Sequence, residues 1–258
     1  MLKIKIDEKD YECEKGTILL DFCRKKGINI PTLCEHGAIA EVASCRLCIC
    51  EVIIKGRSQV VVSCVYPIEQ ECEILTHSEK IDRERGVILM LLKLRAPESK
   101  EIQELCEKYK APEYKRFKTL DGGKCIMCGK CALVCKELGS SAISTINRGI
   151  SKEISTPYGE PNITCIGCLS CAHVCPTQAI NFESDDKHRK IWGKEFKLVY
   201  CKDCKKPIGT VEEIEYAKKK TPVKDEDAYN YCDECRRLHI AKVMAATYGE
   251  VETEMSSK

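Results

Sequence analysis

The stretch CIMCGKCALVC, residues 125–135, sets Cys125, Cys128, Cys131 and Cys135 within eleven positions. Forty residues later the pattern returns as Cys165, Cys168, Cys171 and Cys175, and Ala142-Ile143 is echoed by Ala179-Ile180. A repeat at fixed period marks two copies of one structural unit. Thiolates are soft ligands for iron and zinc, so sulfur at short regular spacing points to metal. Disulfides are the competing use, but they belong to small secreted domains. The first residues, MLKIKIDEKD, hold no apolar run and no small-residue cleavage site of the signal-peptide kind. The 21 cysteines are therefore expected to be reduced thiolates on metals, in a cytoplasmic location.

Each run reads C-x2-C-x2-C-x3-C. With that spacing three thiolates take three irons of a 4Fe-4S cube, and the fourth Cys crosses to the partner cube. One cube is expected on Cys125, Cys128, Cys131 and Cys175, and a second on Cys165, Cys168, Cys171 and Cys135. Gly129 and Gly167 would let backbone approach the clusters, while Ile126, Leu133, Val134, Ile166, Leu169 and Val174 would exclude water. Pro176 completes the second motif; Lys136 stands at the equivalent place in the first. A zinc site explains neither the pairing nor the crossed fourth ligands.

A second group is Cys34-x10-Cys45-x2-Cys48-x15-Cys64. Its central pair is spaced as in a plant-type 2Fe-2S site, although the gap before it is ten residues and not four. The segment PTLCEHGAIAEVASCRLCICEV resembles the N-terminal 2Fe-2S domain shared by the large iron-sulfur subunit of respiratory complex I and the iron-sulfur subunits of NAD-linked hydrogenases and formate dehydrogenases. The resemblance implies one 2Fe-2S cluster on Cys34, Cys45, Cys48 and Cys64, carried by a β-grasp ferredoxin fold. It covers residues 1–76 and 119–182 and fails between them. Relatives often hold another cube there on H-x3-C-x2-C-x5-C; here His77 is followed by Ser-Glu-Lys-Ile, and Cys106 is the only cysteine before the first repeat. That cube is expected to be missing, with His77 an ordinary strand-end histidine.

A third group, Cys201-x2-Cys204 and Cys232-x2-Cys235, suits one tetrahedral four-thiolate site with structural zinc as its first-choice occupant. Rubredoxin-type iron or a further cluster also fits four thiolates, although Lys205 and Arg236 stand where rubredoxin pairs usually have glycine. Cys13, Cys23, Cys50, Cys72 and Cys106 are left for packing.

Positioning these sulfurs requires an α+β chain of four parts. Residues 1–76 read as a β-grasp domain: a hairpin LKIKID/YECE around Glu8-Lys9-Asp10, a helix TILLDFCRKKG capped by Thr17 and stopped by Gly27, then strands in ICEVII, QVVVSC and ECEIL with a Lys55-Gly56 turn. Residues 77–118 form a helical connector, in which Ile81, Ile88, Leu91, Leu92 and Ala96 share a face and Ser99 caps a second helix. APEYKRFKTLDGG is a linker. Residues 119–182 are the two-cube ferredoxin domain. Residues 183–258 form a small zinc-ribbon-like segment, too charged to bury a large core, with a terminal helix RRLHIAKVMAATYGE.

Forty-two Lys and Arg against 40 Asp and Glu give a net charge of +2, so no strong field selects nucleic acid. The longest apolar run, Val87–Leu92, is far short of the roughly 20 residues of a membrane span. No G-x-G-x-x-G or P-loop occurs, so no catalytic site of its own is expected. What remains is passage of single electrons, with Arg46, between two 2Fe-2S ligands, a candidate to tune the potential. The resemblance implies a relay subunit in a hetero-oligomer, between a flavoprotein that oxidises NAD(P)H and a terminal metal-containing catalytic subunit of hydrogenase type. It leaves open a formate dehydrogenase or other oxidoreductase complex, bifurcation of electrons to ferredoxin, and an iron-sulfur sensor role.

Overall fold

The computed structural model describes residues 1–35, 37, 39, 43–119, 122–221 and 226–248. Leu120-Asp121 of the expected linker and Gly249-Glu250 of the expected terminal helix lie outside the described residues. The chain divides into two compact units, Met1–Ile154 with Ser170–Asn181, and Ser155–Leu169 with the chain from Phe182 onward.

In the first unit β1 (Leu2–Ile6) and β2 (Lys9–Cys13) pair antiparallel, Ile6 opposite Lys9. The turn is Asp7-Glu8, both at positive φ (44° and 71°), so Lys9 and Asp10 belong to the strand and not, as expected, to the turn. Such a two-residue turn matches the twist of the strands it joins. The Asp7 carboxylate holds it in place by accepting the Thr76 N–H (2.8 Å) and hydroxyl (2.5 Å). Thr17 is not a helix cap: it lies in β3 (Thr17–Ile18) and its hydroxyl donates to the Glu14 carbonyl. α1 (Leu19–Lys25) follows, and Gly27 ends it at φ 72°.

β4 (Ile49–Ile54) and β5 (Arg57–Val62) form a hairpin through Lys55-Gly56; β6 (Pro67–Ile68) pairs with β3, and β7 (Cys72–Leu75) completes the sheet. Its order is β2-β1-β7-β4-β5, with β1 and β7 parallel at the centre, the topology of a β-grasp. Leu19, Leu20, Phe22 and Cys23 of α1 pack with Ile4, Ile6, Cys50, Val52 and Ile74 of the sheet. Fully burying each such aliphatic side chain is worth about 1.5–3 kcal/mol.

α2 (Glu79–Arg95) and α3 (Lys100–Lys108) pack together, each started by a serine, Ser78 or Ser99, whose hydroxyl accepts a backbone N–H three residues on. The buried face of α2 matches the expected one only in part: of the expected residues, Ile81 and the C-cap Ala96 are buried and Ile88 and Leu92 half-buried. Ile81, Arg85, Gly86, Leu89 and Met90 are inside, and Leu91 is 49% exposed. The stripe runs Ile81, Arg85, Leu89, at i, i+4 and i+8; counting Arg85 as polar hides it. Further on come α4 (Lys130–Glu137), begun at Gly129 with φ 80°, the short strands β8 (Ser144–Ile146) and β9 (Glu153–Ser155), and α5 (Ser170–His173), which packs on α4.

The second unit has a sheet that the charged sequence does not suggest. β10 (Phe182–Ser184), β11 (His188–Ile191), β12 (Lys194–Tyr200) and β13 (Pro207–Thr210) form an antiparallel meander that buries Ile191, Phe196 and Leu198. α6 (Val211–Lys220) starts from a capping box between Thr210 and Glu213. α7 (Asp233–Tyr248) begins three residues before the expected helix.

Candidate metal centres

The β-grasp places its four cysteines at the ends of its elements. Cys45 and Cys48 precede β4, Cys64 sits in the turn after β5, and Cys34 lies in the segment after α1. All four are 4% exposed or less. The Cys45 N–H points at the Cys34 sulfur, 3.4 Å away. A hydrogen bond from the Cys45 thiol outweighs burial and brings the Cys34 thiol down to about 5, while the same bond and burial push Cys45 up. The Ser63 N–H donates to the Cys48 carbonyl and so ties the Cys64 turn to the Cys48 loop. The buried Ser63 hydroxyl has no partner among the described residues. An orphan donor beside a dry set of four soft ligands is what inorganic sulfide and iron would satisfy, so these residues fit a 2Fe-2S cluster.

Cys125, Cys128, Cys131 and Cys175 all belong to the first unit. Burial raises the Cys128 thiol, and the charges of Cys175 and Cys125 raise it further. Burial pushes Cys131 up to about 12, with Cys128, Cys125 and Cys171 adding to it. Cysteines of the two runs therefore lie close enough to act on one another's thiols. The Met127 N–H points at the Cys125 sulfur (3.4 Å). The echo of Ala142 and Ala179 has a physical cause: their N–H groups reach the sulfurs of Cys135 and Cys175, both at 3.2 Å. Each copy thus supplies an amide donor to the sulfur of its fourth cysteine.

Two contacts join the first two groups. The Ser44 hydroxyl, one residue before Cys45, donates to the Cys128 carbonyl (3.1 Å), and the buried Lys130 ammonium donates to the carbonyl of Glu35, one residue after Cys34 (3.2 Å). Leu33, Cys34, Cys45, Leu47 and Ile126 share one apolar cluster beneath them. Sequence reasoning misses Ser44 and Lys130, whose partners are 84 and 95 residues away.

Of the second expected cube, Cys171 and Cys135 belong to the first unit, Cys165 and Cys168 to the second. Within the second unit the loop carrying Cys165 and Cys168 is bound to the sheet through its carbonyls. Lys194 donates to Cys165 (2.8 Å), Arg189 to Gly167 (2.8 Å) and Thr210 to Ile166 (2.5 Å). Gly167, at φ 70°, has the Phe196 ring so close that a Cβ would sit 2.8 Å from it. The sheet, then, is one reason for this glycine. The shielding residues Ile126, Leu169 and Val174 are buried, and Leu133, Val134 and Ile166 half-buried.

Cys201 directly follows β12, Cys204 comes three residues later, and Cys232 and Cys235 flank the start of α7; their four sulfurs lie within 4.8 Å of one another. Burial raises Cys201, but the N–H groups of Cys232, Cys204 and Asp203 prevail and bring it to about 6. Of the cysteines outside these groups, Cys13, Cys23, Cys50 and Cys106 are buried, and burial raises their thiols, to about 12 for Cys23 and Cys50. Arg46 is exposed with a left-handed backbone (φ 59°), and His77 has its Nδ1 3.3 Å from Arg85.

Residues 1–79 match the 2Fe-2S iron-sulfur cluster binding domain family, and residues 124–179 match the 4Fe-4S dicluster domain family. The subunit alpha of a NADPH-Fe(3+) oxidoreductase from Geobacter sulfurreducens is 30% identical over 69% of this chain and 24% of its own length. The NADP-reducing hydrogenase subunit HndD of Solidesulfovibrio fructosivorans is 30% identical over 74% of this chain and 37% of its own. The NADH-ubiquinone oxidoreductase 75 kDa subunit of Reclinomonas americana is 28% identical over 60% of this chain and 26% of its own. The chain spans about a quarter to just over a third of these relatives. A crystal structure of NAD+-reducing [NiFe]-hydrogenase in the H2-reduced state shares the fold, with a TM-score of 0.55 and 23% identity over 69% of this chain and 86% of that one.

Proposed function

Because the chain is an iron-sulfur protein homologous to subunits of NAD(P)-linked oxidoreductases, we propose that it is the electron-relay subunit of such a complex. In this reading Cys34, Cys45, Cys48 and Cys64 hold a 2Fe-2S cluster, Cys125, Cys128, Cys131 and Cys175 one 4Fe-4S cube, and Cys165, Cys168, Cys171 and Cys135 another. Such clusters, when bound, supply one-electron chemistry at potentials set by charge, hydrogen bonds and burial. The observation that carries the proposal is the seam of Ser44 with Cys128 and Lys130 with Glu35. It fixes the ligand loop of one centre against that of another, with Leu47 and Ile126 keeping water out.

Cys201, Cys204, Cys232 and Cys235 hold one structural zinc. Four thiolates on a tetrahedral zinc are spaced by about 3.8 Å, and the Cys204 and Cys232 sulfurs are 3.6 Å apart. The partners are a flavoprotein that takes hydride from NAD(P)H and a metal-containing subunit of hydrogenase type. Among the described residues no helix is long and apolar enough to cross a membrane.

The test is Cys48→Ser in anaerobically reconstituted protein, followed by low-temperature EPR. The 2Fe-2S signal is expected to be lost or strongly altered while both 4Fe-4S signals persist. An unaltered 2Fe-2S spectrum would show that the ligand assignment is wrong.

A further inference from the structure

Arg85 is the largest side chain of the described residues with no solvent exposure. It enters from α2 and ends behind the 2Fe-2S ligand loop. Its Nε donates to the Leu47 carbonyl (3.3 Å), and its Nη2 donates to the carbonyls of Ile49 (2.8 Å) and Thr76 (2.9 Å). Leu47 and Ile49 are the two neighbours of Cys48 in the chain. Nη1 is 3.3 Å from both His77 Nδ1 and Asp82 Oδ1, and the guanidinium lies 5.7 Å from the Tyr109 ring centroid.

Carbonyl groups satisfy the donors of a guanidinium without cancelling its charge. The carboxylate that pairs with it is Asp82, and at 45% exposure that carboxylate is partly screened by water and offsets the charge incompletely. A positive charge therefore sits in the dry wall one peptide away from Cys48, where the effective dielectric is low and Coulomb effects reach furthest. Adding an electron to a four-thiolate iron site makes an anionic site more negative, so a buried cation favours the reduced form.

We infer that Arg85 is a positioning and tuning residue of the 2Fe-2S centre: it clamps the peptides on both sides of Cys48 and raises the reduction potential there. Arg46, between the ligands but exposed, is screened by solvent and contributes less. The inference rests on the proposed ligand set.

The experiment is an EPR-monitored redox titration of the full reconstituted chain in four forms: wild type, Arg85→Gln, Arg85→Lys and Asp82→Asn. Arg85→Gln removes the charge and is expected to shift the one-electron equilibrium toward the oxidised form by roughly tenfold, about 59 mV for n = 1. Arg85→Lys keeps the charge and stays nearer wild type. Asp82→Asn removes the half-exposed countercharge with a side chain of nearly the same shape, and it shifts the potential upward, by less than Arg85→Gln lowers it, even if the Arg85 variants fail to load iron. The 4Fe-4S potentials move less in every form. A 2Fe-2S signal whose potential is unchanged in Asp82→Asn, and in Arg85→Gln where that loads, overturns the inference alone. Absence of any 2Fe-2S signal in the wild type overturns the ligand assignment and this inference with it.

Discussion

At the scale of single residues, the cysteine-bearing loops are held by their backbone carbonyls, through Arg85, Lys130 and Ser44 in the first unit and Lys194, Arg189 and Thr210 in the second. Cysteine spacing is a local property, so the two C-x2-C-x2-C-x3-C runs and the C-terminal knuckles can be read directly. Arg85, Lys130 and Ser44 act on carbonyls of the cysteine-bearing loops 36 to 95 residues away, and nothing in their neighbourhoods announces that. Gly167 lies between these cases: its need is foreseeable, but its crowding by Phe196 emerges only in the folded chain. Alanine there would combine a positive φ with overlap of a ring, a cost of about 1–3 kcal/mol. Gly167→Ala is expected to lower the melting temperature and to release iron, from about ten per chain toward six if the second cube is lost. Phe196→Ala empties a core position and is destabilising by itself, but in the double mutant the two losses should sum to less than their separate total, because the ring that the new Cβ overlaps is gone. Additive losses in the double mutant would show that crowding by Phe196 is not the cause.

At the scale of elements, the β-grasp and the caps at Ser78 and Ser99 are readable, because alternation and N-cap chemistry are local signals. Thr17 misleads because a hydroxyl before an apolar run serves a turn as well as a helix. The sheet of the second unit is obscured by charge, although KEFKLVY does alternate and puts Phe196 and Leu198 inside. β12 has a role no motif signals. Lys194 at its start holds the Cys165 carbonyl, Phe196 packs on Gly167, and the strand runs into Cys201. One seven-residue strand thus connects the four-thiolate site with a cluster loop. Removing the metal proposed for that site, by Cys204→Ser or a chelator, is expected to raise amide exchange along β12 and in residues 163–167, while the β1–β7 pair keeps its protection. Unchanged exchange along β12 would mean that the metal site and the loop are mechanically independent.

At the scale of the whole molecule, a net charge of +2 and near-equal acidic and basic content supply no field to steer a small anionic substrate. Specificity for a nucleotide must then come from a built pocket, and the sequence holds no dinucleotide-binding glycine motif. Hydride transfer delivers two electrons together, whereas each centre proposed here accepts one, so a two-electron carrier such as a flavin has to stand between them. The loaded chain alone is accordingly expected to bleach with a one-electron reductant such as dithionite and to stay coloured with NADPH or NADH over the same minutes. Adding the proposed flavoprotein partner should make the nicotinamide effective, and visible absorbance near the iron-sulfur bands reads both arms. Rapid bleaching by NADPH with no flavin in the preparation would place a nucleotide site on this chain and would remove the need for the partner.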